Sequence, residues 1–154
     1  MPESVWDFPR PPRVEPVAKV IRVVLDGQVI AETTRAFRVL ETSHPPVYYI
    51  PPADILEGAL ESCEGSSFCE FKGSASYWTV RSGQRVERAA AWFYPRPAAG
   101  FEEIRDHVAF YPARMDECTV DGEVARPQAG GFYGGWITSD LVGPFKGEPG
   151  TRGW

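Results

Sequence analysis

The stretch that decides the fold class is KVIRVVLDGQVIAET, residues 19–33. Two runs rich in β-branched residues flank Asp26-Gly27, and an Asp-Gly pair in this setting is the strongest short-range signal for a β-hairpin. A third run, residues 36–41, mixes apolar and charged side chains. The sequence therefore predicts a meander of three strands, 19–25, 28–33 and 36–41, at the start of a mainly β protein.

Short elements are also predicted along the rest of the chain. Fifteen prolines and fifteen glycines punctuate it, and both residues favour turns over long helices. A strand at 47–50 lies between proline pairs, so we expect it either to lie at a sheet edge or to end abruptly. Further expected elements are strands at 74–80, 85–94 and 108–111, a hairpin over 117–126, a short helix over 52–60 and a helical turn between 101 and 108.

Length and composition favour one domain spanning residues 1–154. We expect residues 1–19 to form an extended arm and residues 20–126 to form the β core. The glycine-rich segment 127–154 has no hydrophobic period. Its aromatic side chains favour packing on the core rather than disorder; they are Phe132, Tyr133, Trp136, Phe145 and Trp154.

Charge and cysteine usage exclude several classes of partner. The net charge of −5 argues against nucleic-acid binding, which normally needs a basic face. No apolar run is long enough for a membrane helix, and the N-terminus lacks the pattern of a secretory signal. We therefore expect a cytoplasmic protein, with a homodimer left open. The three cysteines, Cys63, Cys69 and Cys118, are expected as free thiols, with a Cys63–Cys69 bridge as a minor alternative.

The segment 68–78 places a thiol and an amine beside aromatic residues. Lys72 precedes Gly73, so its amine could meet a phosphate or carboxylate of a ligand that approaches the backbone closely, or form a Schiff base. Cys69 lies three residues earlier, where a cation would favour its thiolate. The competing interpretations are an exposed turn for Lys72 and a buried, inert side chain for Cys69.

Two further groups of side chains are candidates for ligand binding. Arg35 and Glu41 flank the third predicted strand, where they would form a ligand clamp or a structural ion pair. Aromatic side chains are too many for one core layer and suit a pocket wall. Alternation along a strand puts Tyr77 and Trp78 on opposite faces. The predicted wall residues are Tyr48, Tyr49, Tyr77, Trp78, Trp92 and Tyr94.

Metal and cofactor motifs are absent from the sequence. His44 and His107 are isolated, and no Cys-x-x-Cys pair occurs, so we expect no metal site. There is no phosphate-binding glycine loop, dinucleotide fingerprint or serine-nucleophile elbow either. We therefore expect no cofactor.

The order of the candidate residues, from Arg35 and Glu41 through Cys69 and Lys72-Gly73 to Tyr77-Trp78, resembles that of the bacterial domain-of-unknown-function family 427. The resemblance implies a compact antiparallel architecture, tent-like as in the methionine sulfoxide reductases, or barrel-like. Those relatives bind zinc through Cys-x-x-Cys pairs, so a metal-free version is implied here. A nucleotidyltransferase label used for the family has no support, because no paired-carboxylate metal motif occurs. The residues that carry the resemblance are Arg35, Glu41, Tyr48-Tyr49-Ile50-Pro51, Asp54, Phe68-Cys69-Glu70-Phe71-Lys72-Gly73, Tyr77-Trp78, Ala91-Trp92, Tyr94, Pro97 and His107-Val108-Ala109-Phe110-Tyr111.

Three functional hypotheses follow. In the favoured one, an enzyme acts on a small polar or anionic metabolite, which Lys72 and Arg35 hold while Glu41 or a tyrosine moves protons. In the second, the same pocket binds a ligand or peptide without catalysis. In the third, Cys69 is a redox thiol resolved by Cys63 or Cys118. The first hypothesis requires Lys72 and Arg35 to face a common hollow.

Overall fold

The computed structural model describes residues 2–9, 12–69, 72–129, 134–143 and 145–146, and for residues 65–69 it describes the backbone alone. Within these ranges the chain is mainly β, with no helix of seven or more residues. The strands are β1 (Glu3–Ser4), β2 (Arg13–Val17), β3 (Ile21–Leu25), β4 (Gln28–Thr33), β5 (Ala36–Leu40), β6 (Val47–Tyr49), β7 (Leu60–Cys69), β8 (Gly73–Ser82), β9 (Arg85–Phe93), β10 (Ala109–Phe110), β11 (Glu117–Val120), β12 (Glu123–Val124), β13 (Arg126–Pro127), β14 (Trp136–Ile137) and β15 (Leu141–Val142). Single turns of 3-10 helix are η1 (Val5–Asp7), η2 (Pro52–Asp54), η3 (Glu102–Ile104) and η4 (Pro112–Arg114).

Two tight hairpins lie side by side in the first sheet, in the order β12-β11-β3-β4. Asp26 and Gly27 join β3 to β4 with φ of 51° and 72°, the left-handed pair that a type I′ turn requires. Asp121 and Gly122 join β11 to β12 in the same way, with φ of 48° and 83°. Both predicted hairpins are confirmed.

The third strand of the predicted meander does not pair with β4. Instead, β5 lies in the centre of a separate sheet, β2-β5-β6, so this part of the prediction is wrong. The chain leaves the first sheet after Thr33, whose hydroxyl accepts a hydrogen bond from the Arg35 backbone and donates one to Asp54. These bonds turn the chain where a third meander strand would begin. The edge position predicted for β6 is confirmed.

The third sheet, β10-β9-β8-β7, contains the longest strands. The strands expected at 74–80 and 85–94 are present as β8 and β9, and Ala89 forms an irregularity in β9 with φ of 52°. Strand β7 is not among the elements predicted from the sequence. Its sequence, LESCEGSSFC, has no β-branched residue and no regular alternation, so local pattern gives no strand signal there.

The prediction of a helix over residues 52–60 is wrong. Only η2 is helical, and Ile55 then forms a β-bridge with Ala31. The Leu56 amide donates to the Ile30 carbonyl, and Gly58 has φ of 86°, which a right-handed helix does not allow. Pairing with the edge of β4 therefore overrides the helical spacing. The helical turn expected between 101 and 108 is confirmed as η3.

The core divides into three apolar groups. The largest joins the first sheet to one face of the third sheet and includes Trp136. The second group is aromatic and surrounds Tyr49. The third brings the two ends of the described chain together: Val5, Phe8 and Phe145 share one cluster, and β1 pairs with β15 in parallel. Phe132, Tyr133 and Trp154 of the predicted C-terminal covering lie outside the described residues.

The mainly β class predicted from the sequence is confirmed, and the described sheets do not close on themselves. In the described ranges, no helix has the length and apolar character needed to cross a bilayer.

Candidate functional site

Lys72 lies in the turn between β7 and β8, and its backbone is fixed by a neighbouring loop. The Lys72 carbonyl accepts a hydrogen bond of 2.8 Å from the Ala98 amide. Gly73 has φ of 109°, and a Cβ there would meet the Arg96 carbonyl oxygen at 3.2 Å, so a side chain is disfavoured by both backbone and contact. The Lys72 side chain is 11% exposed.

Glu41 and His44 lie in the loop that follows β5. The Ser43 amide donates to the Val5 carbonyl, and the Ser43 carbonyl accepts from the Lys146 amide. A turn bond from the His44 amide to the Glu41 carbonyl closes the loop. The segments at both ends of the described chain therefore hold Glu41 and His44 in place.

Four side chains meet at this loop, and we call them the Lys72 cluster: Lys72, Glu41, His44 and Gln128. The Lys72 Nζ lies 3.9 Å from Glu41 Oε1, and His44 Nε2 lies 4.0 Å from Glu41 Oε2. The Gln128 Nε2 lies 3.2 Å from His44 Nδ1. The side chains of Glu41 and His44 are 29% and 17% exposed, so the cluster is accessible at its edge.

The hydrogen bonds of Gln128 determine the tautomer of His44. The Gly135 amide donates to Gln128 Oε1 at 3.1 Å, which identifies that atom as the oxygen. The Gln128 Nε2 then donates to the Lys146 carbonyl at 2.6 Å and to His44 Nδ1. Since Nδ1 accepts, the imidazole is neutral and carries its proton on Nε2, the atom that faces Glu41.

The contacts around Glu41 are too long to be direct hydrogen bonds. Lys72 Nζ and Glu41 Oε1 are 3.9 Å apart, whereas an N–H···O bond spans about 2.7–3.2 Å. An oxygen atom at hydrogen-bonding distance from both would make an angle of about 90° between them, which is an acceptable geometry. The spacing therefore suits a polar atom that bridges the amine and the carboxylate.

An aromatic group adjoins the Lys72 cluster through residues 134–135. A Cβ on Gly134 would lie 2.2 Å from the Trp92 ring, so this backbone lies directly against the indole. The Trp92 ring contacts Tyr111 at a centroid distance of 4.6 Å and Tyr49 at 6.3 Å. Burial, with a smaller effect of the hydrogen-bonded Tyr77, raises the pKa of Tyr111 to about 12. Of the predicted wall residues, Tyr49, Tyr77, Trp92 and Tyr94 share this group.

Most residues of the Lys72 cluster lie in a region that matches a known protein family. The profile of the family described as domain of unknown function DUF427 matches residues 13–121. The chain belongs to the DUF427 family. No curated protein matches the sequence. The matched region contains Glu41, His44 and Lys72 but ends before Gln128, which the C-terminal segment supplies.

Two of the predicted wall residues lie elsewhere in this DUF427 protein. Tyr48 packs against Trp136 at 5.0 Å in the largest core group, and burial raises the pKa of its hydroxyl to about 12. Trp78 stacks on Phe93 at 4.9 Å and packs against the same group. Tyr77 packs in the aromatic group instead, so the predicted opposition of Tyr77 and Trp78 is confirmed.

Arg35 and Lys72 do not face a common hollow. Arg35 precedes β5 and Glu41 follows it, so the two are separated by about 20 Å of extended strand. The Arg35 side chain is 64% exposed and donates to both carboxylate oxygens of Asp54, at 3.3 and 2.8 Å. The predicted partnership between Arg35 and Glu41 is therefore absent. The carboxylate partner of Arg35 is Asp54, and Glu41 faces Lys72.

The cysteines give limited support to a redox site in this DUF427 chain. The Cys69 side chain lies outside what the structure describes. Cys63 and Cys69 lie six residues apart in β7, a span of about 20 Å, whereas a disulfide needs Cα atoms within about 4–7 Å. The alternative of a Cys63–Cys69 bridge is therefore wrong. Cys118 is 1% exposed, and its burial raises the pKa of the thiol, which disfavours the reactive thiolate.

His44 and Gln128 are site residues that sequence reasoning does not predict. They are 84 residues apart, and neither belongs to a recognisable motif. A buried glutamine after the last hairpin carries no local signal of its role. Among the described residues, no group of three histidine, cysteine or acidic side chains is arranged to hold a metal ion.

Proposed function

We propose that the chain binds a small polar or anionic metabolite at the Lys72 cluster and acts on it as an enzyme. The main support is the Lys72 ammonium, which is 11% exposed yet makes no hydrogen bond to a described residue. An ammonium has three donors, and burying a charge without hydrogen bonds is unfavourable. A ligand oxygen beside Glu41 would accept one of these bonds and would be held by charge as well.

Glu41 is the proposed proton-transfer group. It lies between the ammonium of Lys72 and the Nε2–H of neutral His44, and a ligand hydroxyl that bridges to Lys72 would lie within reach of its carboxylate. Gln128 occupies the other ring nitrogen of His44, so the imidazole donates towards Glu41 rather than taking its proton. Lys72 would stabilise negative charge that develops on the ligand oxygen.

The aromatic group supports the proposal as a wall. Trp92 lies against Gly134, and the next residue, Gly135, donates to Gln128 of the cluster. Tyr77 and Tyr111 are among the partly exposed members of the same group. Binding sites for small molecules commonly combine such apolar walls with a few oriented polar groups.

The first test is a thermal-unfolding screen with inorganic phosphate, citrate and a panel of sugar phosphates and hydroxy acids. A ligand present at 100 times its dissociation constant stabilises the folded state by about 2.7 kcal/mol. We expect Lys72→Met to abolish this stabilisation and Glu41→Gln, which keeps a polar side chain of similar size, to retain it. Lys19→Met is the matched control, because Lys19 also lies near one carboxylate, at 3.8 Å from Asp140, but is 51% exposed.

Turnover separates the enzyme from a non-catalytic module. A stabilising compound is incubated with the protein, and product is followed by mass spectrometry. Product that disappears in Glu41→Gln, while binding is retained, supports the proton-transfer role. Binding that depends on Lys72 without any product would establish a binding module instead. Stabilisation that survives Lys72→Met would show that the ligand lies elsewhere and reject the site.

A further inference from the structure

A separate cavity of about 530 Å³ lies at the other end of β5 from Glu41. Its walls come from the last residues of β2, the first residues of β5 and the residue after Ile50. The volume lies within the range of pockets that hold small organic molecules. The wall residues used below are Pro16, Val17, Ala36, Phe37, Pro51 and His107.

The cavity walls are held by strand pairing. Pro16 pairs with Phe37 and Val17 with Ala36 across β2 and β5. Reciprocal backbone bonds of 2.8 Å between Ile50 and Val108 bring Pro51 next to His107. The two prolines have no amide hydrogen, so this side of the cavity offers no backbone donor. The surface is therefore preformed and largely apolar.

His107 supplies a hydrogen-bond acceptor to this apolar surface. Its Nδ1 lies 2.9 Å from the Arg105 carbonyl oxygen, which can only accept, so the ring proton is on Nδ1. In the neutral imidazole Nε2 is then an acceptor, and no described residue bonds to it. The ring also meets Phe37 edge to face, with centroids 5.5 Å apart, which fixes its plane.

Arg35 lines the cavity but does not make it an anion site. Both carboxylate oxygens of Asp54 already accept hydrogen bonds from its guanidinium. The pair is neutral overall, and the planar guanidinium remains suited to stacking on an aromatic ring. The charge balance of the cavity therefore favours an uncharged ligand over a carboxylate or phosphate.

From these features we infer a second binding site, which takes a flat, uncharged aromatic molecule carrying one hydrogen-bond donor, such as a phenol. The donor bonds to His107 Nε2, and the ring packs against Phe37 and the two prolines. This site is distinct in place and chemistry from the Lys72 cluster, which holds a polar or anionic ligand.

The test uses 2-naphthol as the probe, with 2-methoxynaphthalene and 2-naphthoate as matched comparisons. Binding is followed by NMR of the full chain, with the signals of His107 and Phe37 as reporters. We expect 2-naphthol to shift both signals and to bind about tenfold more tightly than the methoxy compound, which lacks the donor. We expect the naphthoate to bind more weakly than 2-naphthol, because the cavity has no unpaired cation.

Variants separate this site from the proposed function. His107→Phe keeps an aromatic ring but removes the acceptor, so the preference for 2-naphthol over its methoxy analogue should vanish. Phe37→Leu should weaken both compounds, and Lys72→Met should change neither. Circular dichroism checks that each variant is folded. Absence of binding, equal affinity for the hydroxyl and methoxy compounds in the wild type, or tighter binding of naphthoate would overturn the inference.

Discussion

Ser43 holds the loop of the Lys72 cluster in an unfavourable conformation. It has φ of 70°, a left-handed value that costs a non-glycine residue about 1–2 kcal/mol. It is 1% exposed, and its hydroxyl has no hydrogen-bond partner among the described residues. Backbone strain and a buried hydroxyl without a partner both lower the stability of the fold. Ser43 therefore contributes by setting the position of the loop and not by stabilising it.

Ser43→Gly should raise the free energy of unfolding by about 1 kcal/mol, because relief of the left-handed strain and loss of the buried hydroxyl outweigh the added chain entropy of glycine. Ser43→Ala keeps the strain and should fall between the wild type and Ser43→Gly. Urea denaturation measures both. If both variants were less stable than the wild type, the hydroxyl would have to be stabilising the loop.

The two histidines provide a second prediction, because the structure assigns them opposite tautomers. His44 accepts at Nδ1 from Gln128, and His107 donates from Nδ1 to Arg105. Nitrogen NMR of the imidazoles at neutral pH should show the proton of His44 on Nε2 and that of His107 on Nδ1. In Gln128→Met, which removes the donor at similar volume, the His44 tautomers should mix while His107 stays unchanged. A His44 ring with its proton on Nδ1 in the wild type would contradict the assigned network.

At the scale of elements, local sequence signals predict the hairpins correctly, but they do not predict which distant strands pair. The Asp26-Gly27 and Asp121-Gly122 turns act over two residues, so both hairpins followed from the sequence. One partner of β5 is β2, whose paired residues lie 19 to 27 positions earlier, and no local pattern specifies that choice. The site shows the same division. Lys72 and Glu41 are recognisable from the sequence as candidate site residues. Their proximity to Gln128 is not, because it depends on how the C-terminal segment packs.

The link between β4 and η2 gives a pH-dependent prediction. Hydrogen bonds from Arg35 and then from Thr33 lower the pKa of Asp54 below its ordinary value. The unfolded chain therefore binds the proton more tightly than the folded one. The resulting stability is present above about pH 4 and is lost as the pH falls through the lowered pKa of the folded state.

Asp54→Asn should consequently lose less stability than the wild type when the pH is lowered from about 5 to about 2. Urea midpoints at several pH values measure this. Glu61→Gln is the control, since Glu61 is an exposed carboxylate beside Arg81, with a side chain 52% exposed. Because water screens an exposed ion pair, the Glu61→Gln substitution should change the acid loss less than Asp54→Asn does. An equal acid loss in Asp54→Asn would show that the Thr33–Asp54–Arg35 link is not a source of stability.

At the scale of the whole molecule, the proposed polar site is assembled from three distant parts of the chain. The turn after β7 supplies Lys72, the loop after β5 supplies Glu41 and His44, and the segment after β13 supplies Gln128. The residues that hold these parts together come from both ends of the described chain, through Val5 and Lys146. Formation of the site therefore depends on the complete packing of the sheets, and conditions that loosen the core should also disrupt the site.

Alkaline pH tests this coupling through the buried Tyr48 and the half-buried Tyr111. Burial raises the pKa of Tyr48, in the largest core group, and of Tyr111, beside Trp92, to about 12 in each case. The unfolded chain loses these protons near pH 10, so stability is complete below pH 10 and falls as the pH rises towards 12, by about 3 kcal/mol for Tyr48. Tyrosinate absorbance and circular dichroism should therefore change together in this interval. In Tyr48→Phe the loss of stability between about pH 10 and 12 should be smaller than in the wild type. Ionisation of all the tyrosines near pH 10 with the fold intact would show that neither hydroxyl is buried as the structure indicates.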